Sequence, residues 1–266
     1  MAAGKGKRMK SDLPKVLHKL AGKPMVEYVV ETAKRVGVEK IILVVGHKRN
    51  KTQKLLKHLD VEFVIQEEQL GTGHAVMQAK DHLANFDGDV LILCGDMPLL
   101  RSDTVRRLLE EHRRKKAVAT VLTAILEDPS GYGRIIRDEK GMVQKIVEEG
   151  DASADEKKVK EINTGTFCFD SRSLFSVLNK ITPDNKQGEY YLTDALEFLR
   201  KKNLPIWAVV ASNPQEGLGI NSQEELERME EILLVGNPAL RQVQGGERSR
   251  TTNGGAKSSG QTTLLS

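Results

Sequence analysis

The chain has 266 residues, 41 of them Lys or Arg and 37 Asp or Glu, which leaves a formal net charge of +4. Its 39% of hydrophobic and 29% of charged residues are ordinary for a soluble globular protein with one large domain or two small ones. No stretch approaches the roughly 20 apolar residues that span a bilayer, and no apolar signal region opens the chain. The two cysteines, Cys94 and Cys168, lie in apolar runs, which favours a cytoplasmic protein over a disulfide framework.

Apolar runs and amphipathic segments alternate along the chain. The runs predict six strands, at Ile41–Val45, Glu62–Gln66, Val90–Cys94, Val118–Thr123, Thr166–Phe169 and Ile206–Val210. The amphipathic segments predict a helix whose first turn contains Pro24, and further helices at Gly73–Leu83, Asp103–His112, Ser171–Leu178, Thr193–Lys201 and Gln223–Leu233, with Ser102 and Ser222 as N-caps. This alternation predicts an α/β fold in which helices cover both faces of a mostly parallel sheet.

The two ends of the chain differ from the rest. Residues 236–266 contain six glycines and no apolar periodicity, so we expect a disordered, low-complexity tail after a domain of residues 1–235. At the other end, Met1 opens directly into the loop-like sequence Ala-Ala-Gly-Lys-Gly-Lys. A phosphate-cradling glycine loop in an α/β domain normally follows a buried strand, and no strand precedes this one.

This N-terminal glycine loop has the composition of an anion-binding segment. Gly4 and Gly6 allow the backbone to approach an anion closely, and five basic residues accompany them: Lys5, Lys7, Arg8, Lys10 and Lys15. The spacing matches neither the dinucleotide fingerprint nor a P-loop, and composition alone favours a solvated lysine-rich N-terminus. Lys15 differs from the other lysines because the rigid, mostly apolar frame Leu13-Pro14-Lys15-Val16-Leu17 would hold its charge in place.

Several polar residues follow predicted strands. Asp96 lies just beyond Val90–Cys94, where open α/β sheets bind ligands and where a carboxylate suits Mg²⁺; a turn aspartate is the alternative. Asn221 also fits a turn or an N-cap. Gln66 can pair with the edge of a base, although its segment fits a helix cap as well. His74 is predicted to be a packed helix residue, and the other histidines show no shared spacing of a metal site.

The run AAGKGKRMKSDLPKVLHKLAGKPM at residues 2–25 resembles the signature of the sugar-phosphate nucleotidyltransferases. More narrowly, it is similar to the pyrophosphorylase (uridylyltransferase) domain of the bacterial bifunctional UDP-N-acetylglucosamine pyrophosphorylase / glucosamine-1-phosphate N-acetyltransferases. Further segments resemble that family in the same order, at Gln66–Ala75, Leu93–Leu99, Gly131–Ile135, Val147–Glu148, Glu161–Gly165, Gln187–Asp194 and Gly219–Asn221. Together these segments cover residues 1–235, and their order makes the resemblance highly specific.

The resemblance implies a Rossmann-like nucleotide-diphospho-sugar transferase fold and a Mg²⁺-dependent reaction. UMP passes from UTP to N-acetylglucosamine 1-phosphate, giving pyrophosphate and UDP-N-acetylglucosamine for peptidoglycan and lipopolysaccharide precursors. The family assigns catalysis to Arg8 and Lys15, and Mg²⁺ binding to Asp96 and Asn221. It assigns nucleotide contacts to Ala2, Ala3, Gly4, Lys15, Gln66, Gly71, Thr72 and Asp96, and sugar contacts to Gly133, Glu148, Asn163, Thr193 and Asn221, with Tyr132 beside them.

The chain departs from the family pattern in four places. The opening strand that normally precedes Ala2 is absent, so we expect two exposed strand edges and predict that Met1 is an internal methionine of a longer natural sequence. Lys7 stands where Thr is usual, and Cys94 replaces a residue that is often aromatic. The hexapeptide-repeat domain that carries acetyl transfer is missing, and a trimer is expected only where that domain is present.

Two other functions stay open at this point. The chain can act on another sugar 1-phosphate or base, or it can bind a nucleotide sugar without catalysis. Nucleic-acid binding is the weakest interpretation, because only 4% of the residues are aromatic and they do not alternate with basic ones. Residues 1–23 carry a net charge of +6 and residues 236–266 a net charge of +3, whereas residues 24–235 carry −5. The positive charge therefore belongs to the glycine loop and the tail.

Overall fold

The computed structural model describes residues 1–236. The predicted tail lies outside the described residues, except for Gly236, which ends the last helix. The helices are α1 Met25–Arg35, α2 Arg49–Leu56, α3 Thr72–Gln78, α4 Ser102–Arg114, α5 Ser171–Leu178, α6 Asp194–Lys201 and α7 Gln223–Gly236. The strands are β1 Lys19–Leu20, β2 Lys23–Pro24, β3 Ile42–Val45, β4 Glu62–Ile65, β5 Asp89–Ile92, β6 Ala119–Ile125, β7 Arg134–Arg137, β8 Val143–Val147, β9 Glu161–Asp170 and β10 Ile206–Val210.

A sheet of six strands forms the larger part of the fold. Its order is β10-β6-β9-β7-β8, and β5 also pairs with β9. β10 runs parallel to β6, whereas β9 runs antiparallel to β5, β6 and β7. β5 and β6 lie on opposite sides of β9, and both run antiparallel to it, so they run in the same direction. This shared direction is expected for strands that follow helices in the chain. Among the described strands of the larger sheet only β10 and β6 form a parallel pair, so this sheet is mixed, with more antiparallel pairs than the predicted mostly parallel sheet.

The first residues of the chain join the larger sheet to a separate parallel pair, β3–β4. Ala2 forms a parallel bridge with Val45 of β3. On the other side, the Met1 ammonium donates to the Leu93 carbonyl at 2.7 Å, and the Gly95 N–H donates to the Met1 carbonyl at 2.8 Å. Met1 is thus hydrogen-bonded to two residues, Leu93 and Gly95, that are two positions apart, which is the pattern of a parallel ladder. Met1 and Ala2 therefore lie where a central strand would run.

A cavity of about 670 Å³ continues the line of Met1 between β3 and β5. Its walls include apolar side chains of α1, β3 and β5, among them Val30, Leu43 and Leu91. Within residues 1–236, the edges of β3 and β5 that face this cavity have no strand partner beyond Met1 and Ala2. The expectation of two exposed strand edges is therefore confirmed. Burial lowers the pKa of the Met1 ammonium at the end of the cavity.

Helices cover both faces of the larger sheet. On one face, Phe167 and Phe169 of β9 pack with Leu174 of α5 and Leu196 of α6. On the opposite face, side chains of α4 such as Leu108 pack on β6 and β9. The layered α/β arrangement that the alternation predicts is therefore present. No helix in residues 1–236 is long and apolar enough to cross a membrane.

Five of the described elements escape the sequence prediction, namely the two-residue strands β1 and β2, helix α2, and strands β7 and β8. Helix α2 buries only Thr52 and Leu56, so it has almost no apolar stripe. Strand β7 begins and ends with arginines, Arg134 and Arg137, which hide its short apolar core from a search for apolar runs. The predicted helix Gly73–Leu83 is also shorter, because α3 ends at Gln78 and a separate 3₁₀ turn follows at Asp81–Leu83.

The predicted helix starts are partly wrong. Pro24 is the N-cap of α1 and precedes its first turn, since its ψ of 137° is extended. Ser102 is the first residue of α4, and Arg101 takes the N-cap position without a side-chain bond. Ser222 is confirmed as a capping residue, because its hydroxyl accepts the N–H of Glu225 at 3.2 Å.

Candidate active site

The N-terminal glycine loop packs directly against Lys15. Lys7–Met9 and Lys15–Leu17 each form a single 3₁₀ turn, and Gly6 precedes the first turn with a left-handed φ of 59°. A Cβ at Gly6 would lie 2.6 Å from the Cβ of Lys15, so this approach requires glycine. The loop therefore holds the Cβ of Lys15 in place. This agrees with the prediction that the frame Leu13–Leu17 keeps the Lys15 charge fixed.

Lys15 lies between the two predicted metal ligands. Its ammonium donates to the carboxylate of Asp96 and to the side-chain oxygen Oδ1 of Asn221. The Lys15 and Asp96 side chains are only 13% and 23% exposed. Two oxygen atoms from distant parts of the chain thus converge on one positive charge.

The loop that carries Asn221 is anchored on Asp96. The Ile220 N–H donates to the Asp96 carbonyl at 2.9 Å, and a Cβ at Gly219 would lie 3.5 Å from the Asp96 carboxylate carbon. The Asn221 N–H donates to Glu225 Oε2 at 2.6 Å. The Asp96 carboxylate and the Asn221 amide oxygen already converge on the Lys15 ammonium. These two oxygens fit Mg²⁺, which takes one or two protein oxygens together with phosphate oxygens and water.

Tyr132 lies within electrostatic reach of Arg8 and of Asp96 from this cluster. Arg8 is exposed in the first 3₁₀ turn. Burial raises the pKa of Tyr132, the negative charges of Glu225 and Asp96 raise it further, and the positive charge of Arg8 lowers it. Tyr132 directly precedes Gly133, so the charges of Arg8 and Asp96 reach the predicted sugar side.

The segment predicted to contact the base is held by its own side chains. Gln66, only 3% exposed beyond β4, donates from Nε2 to the Gly71 carbonyl at 3.0 Å, and the same nitrogen lies 3.1 Å from Nδ1 of His74. The Thr72 hydroxyl accepts the Leu192 N–H at 3.0 Å and does not cap α3. His74 is therefore more than the packed helix residue of the prediction, since it orients Gln66.

Two glycines bring the base segment against its neighbours. Gly71 has a left-handed φ of 113°, and a Cβ there would lie 2.6 Å from the Tyr190 carbonyl oxygen. Gly46, directly after β3, would bring a Cβ within 2.9 Å of the carbonyl oxygens of Ala3 and Gln66. The sequence assigns Gly46 only to the end of a strand, but the structure shows that it joins the N-terminal glycine loop to the base segment.

Four predicted sugar residues lie together. The Thr193 hydroxyl donates to Glu148 Oε1 at 3.3 Å, and a Cβ at Gly133 would lie 3.1 Å from Glu148 Oε2. The Asn163 N–H donates to the Gly133 carbonyl at 2.8 Å. Burial raises the pKa of Glu148, and the Thr193 hydrogen bond partly opposes this rise. The Glu148 carboxylate and the Thr193 hydroxyl therefore meet beside Gly133, which the Asn163 backbone joins to β9.

The remaining predicted residues divide between these groups. Asn221 lies with Lys15 and donates from Nδ2 to the Gly219 carbonyl at 2.9 Å, so its predicted sugar contact stays a prediction. Ala2 and Ala3 are buried beside β3, and Gly4 is exposed at the start of the loop. The structure therefore groups Lys15, Asp96 and Asn221 in one cluster and the sugar residues in another.

Cys94, one of the departures from the family pattern, is a packing contact. A Cβ at Gly165 would lie 2.9 Å from Cys94 Sγ, and the thiol donates to the Gly165 carbonyl at 3.5 Å. Burial, helped by the charge of Asp96, raises the pKa of Cys94 to about 12. A neutral thiol therefore fills the narrow space that Gly165 leaves.

A family model described as the MobA-like NTP transferase domain matches residues 1–197. The bifunctional protein GlmU of Bacillus mycoides is 49% identical over 233 residues, which cover 88% of this chain and 50% of that protein. The GlmU proteins of Syntrophomonas wolfei and Listeria monocytogenes are 47% and 48% identical, again over 88% of this chain and over 52% and 51% of theirs. The chain spans about half the length of these relatives.

The structure is similar to that of a UDP-glucose pyrophosphorylase in complex with UDP-glucose, with a TM-score of 0.67 at 19% identity over 89% of this chain and 97% of the other. The apo form of a UDP-glucose pyrophosphorylase gives a TM-score of 0.66 at 18% identity, covering 88% and 96% of the two chains. At these identities the likeness concerns the fold, and it confirms the predicted nucleotide-sugar transferase fold.

Proposed function

Since the chain belongs to the MobA-like NTP transferase domain family, we propose that it transfers UMP from UTP to N-acetylglucosamine 1-phosphate, giving UDP-N-acetylglucosamine and pyrophosphate. The identity to three GlmU proteins supports the resemblance on which this choice of sugar and base rests. The observation that carries the proposal is the convergence of Asp96 and Asn221 on the Lys15 ammonium. Peptidoglycan and lipopolysaccharide synthesis would use the product, and the free thiols of Cys94 and Cys168 suit a reducing cytoplasm.

Asp96 and Asn221 are the residues that would hold Mg²⁺. An ion held there would supply positive charge to neutralise the phosphates. Lys15 supplies a second positive charge at the same point, and phosphate oxygens offer further acceptors to its three N–H groups. The Ile220 hydrogen bond to Asp96 keeps both oxygen donors at this position.

Transfer of this kind depends on positioning and charge neutralisation more than on a protein nucleophile. An oxygen of the sugar phosphate attacks the α-phosphorus of UTP in line, and the bond from that phosphorus to the pyrophosphate oxygen breaks. Lys15 orients the phosphates, and Arg8 stabilises the charge of the leaving pyrophosphate. Ala2, Ala3 and Gly4 border the nucleotide, and no covalent protein intermediate is required.

Gln66 is the residue that would select uracil. Both hydrogen bonds of its side chain use the amide nitrogen, toward Gly71 and His74. Its carbonyl oxygen then serves as the acceptor for the N3–H of uracil, and cytosine has no N–H at that position. Gly71 and Thr72 complete this side of the base site, because the glycine allows the backbone to approach closely.

Gly133, Glu148, Asn163 and Thr193 would bind the sugar. Glu148 offers two acceptor oxygens to sugar hydroxyls, and Gly133 leaves room for them. The Asn163 side-chain oxygen accepts the Gly165 N–H at 2.9 Å, which directs the Asn163 amide nitrogen to serve as a donor for the sugar or its acetamido group. Thr193 fixes one oxygen of Glu148.

The substitution Asp96→Ala tests the proposal through pyrophosphate release from UTP and N-acetylglucosamine 1-phosphate with Mg²⁺. We expect the rate to fall by about 10²- to 10³-fold, since one preorganised charge is lost from the phosphate site. Asp155→Ala is the matched control, because Asp155 is 91% exposed in a surface ion pair, and it should retain the wild-type rate.

An unchanged rate in Asp96→Ala would show that the metal assignment is wrong. The same assay with a panel of nucleoside triphosphates and sugar 1-phosphates tests the choice of substrate. A faster reaction with another nucleoside triphosphate and sugar 1-phosphate would show that the chain prefers those substrates. Binding of UDP-N-acetylglucosamine by the wild-type chain without any turnover would favour the non-catalytic alternative.

A further inference from the structure

A second group of metal-binding side chains lies away from the candidate active site, on the face of the larger sheet that α4 covers. Asp89 begins β5, Cys168 lies near the end of β9, and His112 comes from α4. Cys168 is the direct neighbour of Leu91 on β5 and of Thr120 on β6. Because side chains two apart on a strand share a face, Asp89 and Cys168 point to the same side.

The three side chains are close enough to share one ion. One carboxylate oxygen of Asp89, one ring nitrogen of His112 and Cys168 Sγ all lie within 4.8 Å of one another. The His112 and Cys168 side chains are almost fully buried, whereas the Asp89 side chain is 24% exposed. Tetrahedral zinc has bonds of about 2.0–2.3 Å to such ligands, so an inward shift of roughly 1 Å per side chain would complete the geometry.

Neighbouring groups already orient two of the three ligands. His112 Nδ1 lies 2.9 Å from the Thr120 hydroxyl, which leaves Nε2 facing Asp89 Oδ1 at 3.5 Å. Arg113 donates from Nε to Asp89 Oδ2 at 2.7 Å, which leaves Oδ1 for a second partner. Hydrogen bonds of this kind, behind a histidine and a carboxylate, are typical of the surroundings of protein metal ligands.

The charge balance and access to solvent also suit a cation. The negative charges of Asp89 and Asp170 and the positive charge of Arg113 all act on His112. Two carboxylates against one guanidinium leave a net negative charge around a nearly buried imidazole. Asp89 and Arg113 also line the cavity between β3 and β5, through which an ion could reach the group.

We propose that Asp89, His112 and Cys168 form a zinc site. A thiol, an imidazole and a carboxylate are the donor set that Zn²⁺ prefers, whereas Mg²⁺ prefers oxygen ligands alone. Binding replaces the S–H bond of Cys168 with an S–Zn bond, and the proton passes to the buffer, so no oxidant or reductant is needed. The ion would join β5 to β9 and α4, and a water on the exposed side of Asp89 would be the fourth ligand.

Titration of the apo chain with Co²⁺, the spectroscopic substitute for Zn²⁺, tests this site. We expect one equivalent to produce a sulfur-to-cobalt charge-transfer band that Zn²⁺ abolishes and excess Mg²⁺ does not. Cys168→Ser should remove the band, and Cys94→Ser, the matched thiol control, should retain it. Thr120→Val should weaken binding by about 10- to 100-fold, since it removes only the hydrogen bond behind His112.

Circular dichroism of each variant separates loss of the site from loss of the fold. His112→Gln serves as the second ligand variant, because its amide can retain a hydrogen bond to Thr120. The proposal fails if no band forms in the folded wild-type chain, or if a band persists in folded Cys168→Ser. A melting temperature that Zn²⁺ raises equally in the wild type and in Cys168→Ser would also overturn it. Activity is not part of this test, so its outcome is independent of the proposed function.

Discussion

The two parts of the sheet differ in how completely their strands are paired. β6 has a strand on each edge, β9 on one side and β10 on the other. β3 has β4 on one edge and a single bridge from Ala2 on the other. The weakly paired part carries predicted nucleotide residues, such as Ala3 and Gln66, whereas predicted sugar residues such as Gly133 and Asn163 lie at the larger sheet. The predicted nucleotide residues therefore lie in the part of the sheet with fewer backbone hydrogen bonds.

Asp96 and Asn221 lie between these two parts. Asp96 follows β5, which borders the cavity, and Asn221 reaches Asp96 through the loop before α7. An unpaired strand edge beside an apolar cavity lowers local stability, because backbone groups and apolar side chains lack partners there. We therefore expect the amides of β3 and β5 to exchange with solvent faster than those of β6 and β9.

The largest effect is expected from an apolar extension. Five strand-forming residues added before Met1 would pair with β3 and β5, fill the cavity and remove the buried ammonium. We expect the free energy of unfolding to rise by about 4 kcal/mol, and the two parts of the sheet to become similar in amide exchange. Urea denaturation followed by circular dichroism measures the change.

An extension of the same length made of Gly, Ser and Asp is the matched control, because it cannot fill an apolar cavity. It should leave the unfolding midpoint close to that of the unextended chain. If the apolar and polar extensions have equal stability, the cavity does not account for the difference between the two parts of the sheet.

A smaller effect is expected from Gly71→Ala in the weakly paired part. Gly71 has a φ of 113°, and the new Cβ would lie 2.6 Å from the Tyr190 carbonyl oxygen. We expect a loss of about 2–3 kcal/mol from strain and displacement of the backbone. Gly141→Ala in the turn between β7 and β8 is the control, because Gly141 has a φ of 76° with no atom within 4 Å of the Cβ position. It should cost only about 1–2 kcal/mol. Equal losses in urea denaturation would mean that the base segment yields to the added methyl group.

The smallest effect concerns Asp194, which begins α6 beside the sugar residues. Burial, with the negative charges of Glu197, Glu148 and Asp151, raises its pKa to about 6 from 3.8. A raised carboxyl pKa means that the folded chain holds a proton that the unfolded chain has lost, so stability falls as the pH rises from about 4 to 6. Partial exposure screens the charge, and we expect less than about 1 kcal/mol. Asp194→Asn should remove this fall, as unfolding midpoints at pH 4 and 7 would reveal. If the unfolding midpoints of the wild type and Asp194→Asn differ equally at both pH values, Asp194 does not cause the fall in stability.

Elements with a strong local pattern were predictable from the sequence. β10 and α5 have the predicted bounds, Ile206–Val210 and Ser171–Leu178. β9 is longer than predicted, since its first half at Glu161–Gly165 has polar and glycine residues among its apolar ones. The hairpin β7–β8 was missed, because arginines flank the short apolar core of β7 and polar residues interrupt β8. Side-chain periodicity thus identifies an element only where one face is consistently apolar.

The candidate site was predictable as a set of residues, through the order of the family-like segments. The contacts within the set were not predictable: nothing in the sequence indicates that Lys15 lies between Asp96 and Asn221, or that His74 orients Gln66. Gly46 also gave no signal beyond the end of a strand. Each of these contacts depends on how loops from separate strands meet at one edge of the sheet.

The sequence by itself determined the strand–helix alternation and the residue types available for phosphate, base and sugar. These properties are local, because they follow from the spacing of apolar, glycine and charged residues along a few turns or strands. Only the tertiary structure decided the cavity between β3 and β5 and the meeting of Asp89, His112 and Cys168. Strand register and helix packing bring these residues together, and both depend on contacts between segments that are far apart in the chain.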